Sequence, residues 1–407
     1  MLRSLFSGIT GLRQHQTLMD VVSNNIANVN TTGFKSSTVV FEDTLSQLMR
    51  SAGAPTAIAG GVNPSQVGLG VQLGTIDTNF GQGSAQNTGK ATDLMISGDG
   101  FFLVRNGSET NYTRAGAFTF DSNGSLVNPE GHVVQGWTRT NGTVNTDNPV
   151  GDIIIPTNTT VPPTASTKVT LGGNITMPTS TTMTLGATVY DGQGVAHTLS
   201  LVLTPTATTS PQSFNLDITD TSDPALAPVT GSTVAFTAAG AFDPTTSTVG
   251  PYPTITLTDG TAIAVDISSL TNFGGAKTMG VTNTDGATSG TLQQFQIGGD
   301  GSVLGIFTNG QKLTIARIAL ANFNNPEGLE KIGDSEFRTT YNSGLAQVGV
   351  PAGGGRGQLM GGTLEMSNVD LAREFTNLIV AQRGFQANSR VITTSDQMLQ
   401  DLVDLKR

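Results

Sequence analysis

The chain has 407 residues, 36% hydrophobic and only 12% charged, with a formal net charge of -10 and no cysteine. That length exceeds one ordinary core and predicts roughly two to four domains. The apolar content excludes a disordered chain, the missing cysteine excludes disulfides, Cys-metal sites and thiol nucleophiles, and the acidic balance without a Lys/Arg cluster argues against nucleic acid as a partner.

From Ser4 to about Asn28 the spacing predicts one helix, with Ser4 as its N-cap. Leu5, Leu12, Met19 and Ile26 stand seven apart, and Leu2 and Ile9 lie between them. A strict heptad stripe is narrow and buries itself only against another helix. Gln16 and Ser23 fall where apolar residues belong, so they either face polar surroundings or set register against a partner helix. Asn28 to Thr32 break the helix, and Gly33 stops it. Phe41, Leu45 and Leu48 mark a short second amphipathic piece, and the Gly/Ala/Pro/Ser-rich stretch from Arg50 to Gly70 reads as a linker or extended arm.

Ile76 to about Trp137 alternates and carries turn signals at Ser97-Gly98-Asp99-Gly100, Asp121-Ser122-Asn123-Gly124 and Pro129-Glu130-Gly131, the pattern of β-hairpins. A Thr/Ser/Pro-rich block follows, with strands expected at Thr184–Tyr190, His197–Leu203, Phe214–Ile218, Thr254–Leu257 and Ile263–Ile267. Asp191-Gly192-Gln193-Gly194 is the expected turn between the first two. Alternation strengthens again from Leu292 to about Phe337, which predicts that the Thr-rich block is an insertion. Gly349 to Gly362 mirrors the first arm. A last helix is expected from about Val369 to Leu405, capped by Ser367 or Asn368 and closed by Lys406 and Arg407 at the negative end of its dipole. Its stripe is Leu371, Leu378, Phe385, Ile392 and Leu399, with Phe375 and Leu402 beside it.

The fold class expected is therefore mixed: a coiled-coil terminal domain built from the N- and C-terminal helices, plus two mainly antiparallel β domains, one inserted in the other. The expected boundaries are 1–33 with 364–407 for the helical assembly domain, 34–75 with 340–363 for the arms, 76–145 with 288–339 for the inner β domain, and 146–287 for the outer one.

No catalytic constellation emerges. His15, His132 and His197 are far apart, and none forms an H-x-x-x-H pair. The run from Asp121 would need Glu at its twelfth place to be a calcium loop and has His132 there, so it reads as a β-turn. Gly274-Gly275-Ala276-Lys277-Thr278 has Ala276 where a phosphate loop needs glycine. No catalytic, cofactor or metal residue is assigned. The first residues do not read as a secretory signal peptide, and no apolar run is long enough to span a bilayer, so membrane insertion is not expected.

Three motifs carry a family resemblance. Ser23-Asn24-Asn25-Ile26-Ala27-Asn28-Val29-Asn30-Thr31-Thr32-Gly33-Phe34-Lys35 resembles the N-terminal signature of bacterial flagellar rod and hook proteins. Leu364-Glu365-Met366-Ser367-Asn368-Val369-Asp370-Leu371, followed by Ala381-Gln382-Arg383-Gly384-Phe385-Gln386-Ala387-Asn388, resembles the matching C-terminal one. Ile96-Ser97-Gly98-Asp99-Gly100-Phe101-Phe102 and Tyr112-Thr113-Arg114-Ala115-Gly116-Ala117-Phe118 look like the family's central β motif.

The resemblance implies a non-enzymatic subunit of a helical homopolymer, and the length is that of hook rather than of the shorter rod members. It further implies a bendable tube outside the cell that passes motor torque to the filament. Its partners would be copies of itself, a rod protein proximally, a cap protein during growth, a hook-filament junction protein distally, and the flagellar type III export apparatus, which does not cleave a leader. A distal-rod subunit is the nearest alternative. A secreted β-rich adhesin or glycan-binding module would explain the Thr/Asn-rich middle but leave both helices unused. The segment Ser51 to Gln66 is longer than the family's usual arm.

Overall fold

The computed structural model describes residues 2–404 except 56–59, 141, 156–159, 178, 207–211, 225 and 249–251; for Leu2 and Leu402 only the backbone is described. The proposed cap at the chain's end, Lys406 and Arg407, lies outside the described residues.

The chain divides into two compact units. The first comprises Met1–Pro156, Gln296–Leu304 and Thr314–Arg407; the second comprises Thr157–Phe295 and Gly305–Leu313.

The first unit opens with helix α1 (Leu2–Ala27). Ser4 lies inside this helix rather than capping it, because the helical backbone begins two residues earlier. Strands β1 (Ser37–Asp43), β2 (Ser46–Arg50), β3 (Ser65–Gly68) and β4 (Val71–Thr78) follow. Of the expected amphipathic piece, Phe41 lies in β1 and Leu48 in β2, with Leu45 in the connection between them. β1 pairs antiparallel with β4 around a bulge at Val40/Phe41, and β2 pairs antiparallel with β3, so much of the expected linker is a hairpin. Backbone pairing, not side-chain burial, organises it: every residue of β2 and β3 is exposed.

The core of the first unit is aromatic. Strands Phe101–Asn106, Glu109–Thr113, Val133–Thr138, Leu320–Asn322 and Glu336–Arg338 bring together Phe101, Tyr112, Trp137, Phe323 and Phe337. The rings meet edge to face, Tyr112 with Phe323 at 4.9 Å and Phe101 with Phe323 at 5.7 Å, the geometry the ring quadrupole favours. The returning chain pairs Leu94–Ser97 with Gln358–Gly361 and Ala85–Asn87 with Thr363–Glu365 before helix α2 (Leu371–Asp404) begins.

The second unit holds two four-stranded sheets over one apolar core. Met183–Tyr190, Ala196–Pro205, Ser213–Asp220 and Val229–Ala235 form an antiparallel meander, and the hairpin across residues 191–194 stands where expected. Ser213–Asp220 buries every second residue, Phe214, Leu216 and Ile218 among them, as a one-sided sheet requires. In the other sheet Lys168–Thr176 runs parallel to Ala262–Phe273, the long connection between them allowing the crossover.

Candidate assembly face and the junction behind it

α1 and α2 pack antiparallel along their length: Gly8 of α1 meets Asn388 and Ile392 of α2, Gly11 meets Asn388, and Gly384 of α2 meets His15. Small residues allow this closeness. A Cβ on Gly11 would sit 2.7 Å from the Asn388 amide nitrogen, and one on Gly384 would sit 2.5 Å from the His15 ring. Among the described residues, the buried positions of the pair are Gly8, Gly11, Val22 and Asn25 on α1, and Glu374, Ala381 and Ser395 on α2. On α2 these lie seven or fourteen residues apart, so a heptad seam exists, but a largely polar one.

The large apolar residues read from the sequence form the row beside that seam, and Ile392 of this row also meets Gly8. Leu5, Leu12, Met19, Ile26, Leu378, Phe385, Ile392 and Leu399 are half-buried. Ile9, Leu371 and Phe375 are exposed, Phe375 by 49%. Gln16 and Ser23 face solvent, so neither sets register between α1 and α2. The pattern missed Phe6, Ile379, Val380, Val391, Met398 and Val403, all exposed. They flank the heptad rows, and a wider apolar stripe would have found them. Exposed apolar residues on both helices, on either flank of the seam, mark surface for interaction.

The residues of the sequence motifs mostly build a buried junction beneath this face. α1 frays into a turn, with the Asn28 and Val29 amides donating to Asn24, Asn25 and Ile26 carbonyls. The Asn28 side chain donates to the Asn24 carbonyl at 2.9 Å. Gly33 follows at φ +70°, and a Cβ there would lie 2.5 Å from the Ala115 backbone nitrogen, so only glycine fits. Its own N–H donates to the Glu365 carbonyl at 2.8 Å. Asn25 holds β1 at two points, accepting from the Ser37 N–H at 3.0 Å and donating to the Ser37 carbonyl at 2.8 Å.

Lys35 is the centre. Its ammonium is fully buried, 2.6 Å from the Glu365 carboxylate, and donates to the Gly81 carbonyl at 2.8 Å. The same carboxylate oxygen accepts the Gly83 N–H at 2.9 Å, and Arg114 stands 3.6 Å from the other oxygen. Burial pulls the Lys35 pKa down from its ordinary value, with Glu365 opposing, and burial does the same to Arg114. Asn368 ties both termini together: it accepts the Ser36 N–H at 2.8 Å and donates to the Asn79 and Gly81 carbonyls. Lys331 lies over the Phe34 ring and donates to the Lys35 carbonyl.

The expected cap of α2 requires correction. Asp370, not Ser367 or Asn368, accepts from the Ala372 and Arg373 N–H groups at 2.9 and 3.3 Å. Asn368 is spent on the junction, and the Ser367 hydroxyl accepts only from the Val369 amide, outside the helix. Asn24, Ala27, Gln382 and Arg383 are exposed, and Val369 is half-buried.

His132 bonds Glu336 and His197 bonds Asp220, in separate units, and His15 lies between the helices. Among the described residues no group of three potential metal ligands converges, and no helix is long and apolar enough to cross a membrane. What the arrangement offers is mechanical: a helix pair with exposed apolar residues, tied to a β unit through buried hydrogen bonds and an ion pair.

Comparison with known proteins agrees with that geometry. Models for the flagella basal body rod protein, the flagellar hook protein FlgE/F/G D1 domain and the flagellar basal body rod FlgEFG protein C-terminal region match residues 5–35, 95–182 and 360–405. The flagellar hook protein FlgE of Borreliella burgdorferi is 39% identical, covering 100% of both chains. The flagellar basal-body rod protein FlgG of Bacillus subtilis is 33% identical, again over 100% of both. The crystal structure of Helicobacter pylori flagellar hook protein FlgE2 shares the fold with TM-score 0.53 at 14% identity, covering 69% of this chain and 100% of that one. Similarity that runs end to end and includes both motif-bearing termini means that the chain belongs to the FlgE/F/G family of flagellar hook and rod proteins.

Proposed function

We propose that this chain is the structural subunit of a flagellar hook, polymerising into a helical tube that bends while it transmits torque. The observation that carries this reading is the exposed apolar face of the α1–α2 pair, fixed to the β unit through the buried Lys35–Glu365 junction. Apolar side chains gain about 25 cal/mol per Å² when a neighbouring copy covers them, and a repeated contact of this kind makes a continuous bonded layer. Residues 1–33 and 364–407 are the assembly domain in this reading. The weakly charged β units make smaller contacts between copies, which slide as the tube bends. The subunit leaves the cell through the flagellar export apparatus, meets a rod protein and a junction protein at the two ends of the tube, grows under a cap, and performs no catalysis.

A distal-rod subunit is the second reading, favoured by the full-length similarity to the B. subtilis rod protein FlgG. Electron microscopy of tubes assembled from the purified chain decides. Curved, bendable tubes are expected, straight rigid ones assign the rod, and no tubes from the intact chain removes both readings.

A further inference from the structure

Glu374 stands out among the residues between the helices. It is only 6% exposed, in the first turn of α2, and its buried Oε2 has no hydrogen-bond partner among the described residues. It lines a groove of about 270 Å³ bounded by Leu18 and Val22 of α1, Ser37 and Thr38 of β1, and Asn377 and Val380 of α2. Burying a carboxylate without a partner is costly, and its place in the first turn of α2 offsets only part of that cost. Arg373 lines the same groove but lies within 4 Å of no carboxylate among the described residues.

The complementary charge is on the other side of the same helix. Arg383 and Arg390 are exposed, and neither makes an ion pair among the described residues. They follow Glu374 by nine and sixteen residues. At 3.6 residues per turn this puts them about 180° and 160° round α2, and about 14 and 24 Å along it. An unpaired acid on one face and unpaired bases on the opposite face cannot meet within one copy. They can meet between successive copies, and a contact between two different faces does not close on itself but propagates as an open helix.

The geometry points to Glu374 as a docking site for a second copy of this chain, whose Arg383 or Arg390 enters the groove between α1, β1 and α2 and pairs with the buried carboxylate. The apolar face then supplies adhesion, and the ion pair sets the register between neighbours. This rests on the polymer reading above and adds the residue that aligns it.

The test uses the full-length chain, with polymer measured as the critical concentration in sedimentation and by electron microscopy. Glu374→Gln removes the charge and keeps the shape. It should raise the critical concentration at least about tenfold, while the thermal unfolding of the unassembled chain stays unchanged or shifts upward. Glu374→Arg should abolish tubes, and one of the double variants, Glu374→Arg/Arg383→Glu or Glu374→Arg/Arg390→Glu, should restore them. An unchanged critical concentration for Glu374→Gln overturns the proposal while leaving the polymer reading intact. So does failure of both double variants, or polymer lost with Arg373→Gln but kept with Arg383→Gln and Arg390→Gln, which would make the partner internal. Wild-type chain that forms no tubes refutes the polymer reading itself.

Discussion

Lys35→Met removes the ammonium at the centre of the junction. It leaves Glu365, 1% exposed, with the Gly83 N–H at 2.9 Å and Arg114 at 3.6 Å as its remaining partners. Stranding one member of a buried ion pair costs about 3–5 kcal/mol. Because Arg114 and Gly83 stay in place, the lower end applies, about 3 kcal/mol. Glu365→Gln strands the opposite charge beside the Gly81 carbonyl and costs a similar amount. The double variant leaves neither member of the pair unpaired, although Arg114 still loses Glu365, so it should cost less than the sum of the singles by about 2 kcal/mol. Trp137, the single tryptophan, is buried in the core of the first unit, and its fluorescence in urea reports that unit alone. Single variants costing under about 1 kcal/mol, or a double variant additive to within about 0.5 kcal/mol, would refute the junction's energetics.

Leu12→Asp and Leu378→Asp each place a charge on the half-buried apolar face, and should abolish tube formation in electron microscopy while lowering the stability read at Trp137 by only about 1 kcal/mol. Gly33→Ala forces a side chain into a left-handed backbone 2.5 Å from the Ala115 nitrogen, and should destabilise the first unit by at least about 2 kcal/mol in the same urea titration. The Arg105 hydrogen bond, opposed by desolvation, holds the Asp152 carboxyl below its ordinary 3.8. The folded chain therefore binds that proton less tightly than the unfolded chain; the contribution is complete above the ordinary value and lost as pH falls through the lower folded one. Asp152→Asn should accordingly flatten the acid side of the stability–pH profile, by a small amount because Arg105 is 42% exposed.

The helices were legible because a seven-residue apolar repeat is a strong periodic signal, and strands such as Ser213–Asp220 because a one-sided sheet alternates. The centre of the helix pair was not legible. It is made of Gly8, Gly11, Gly384, Asn25, Glu374 and Ser395, residues that carry no hydrophobic signal and are chosen for close approach and polarity. The β2–β3 hairpin has the sequence of a linker because both of its faces are exposed, so no alternation marks it. The cap Asp370 had a signal, an acceptor immediately before Leu371, but Ser367 and Asn368 offered the same chemistry three and two residues earlier. The Lys35–Glu365 pair joins residues 330 apart, which no local pattern connects. The family motifs located both residues without indicating that they touch.

The central claim is that the terminal helices join copies of the chain. Removing α1 and α2 together, then comparing sedimentation and electron micrographs with those of the intact protein, measures this directly. Tubes from the intact chain and only monomers from the trimmed one are predicted, with the Trp137 transition retained; tubes of ordinary appearance from the trimmed chain would contradict it.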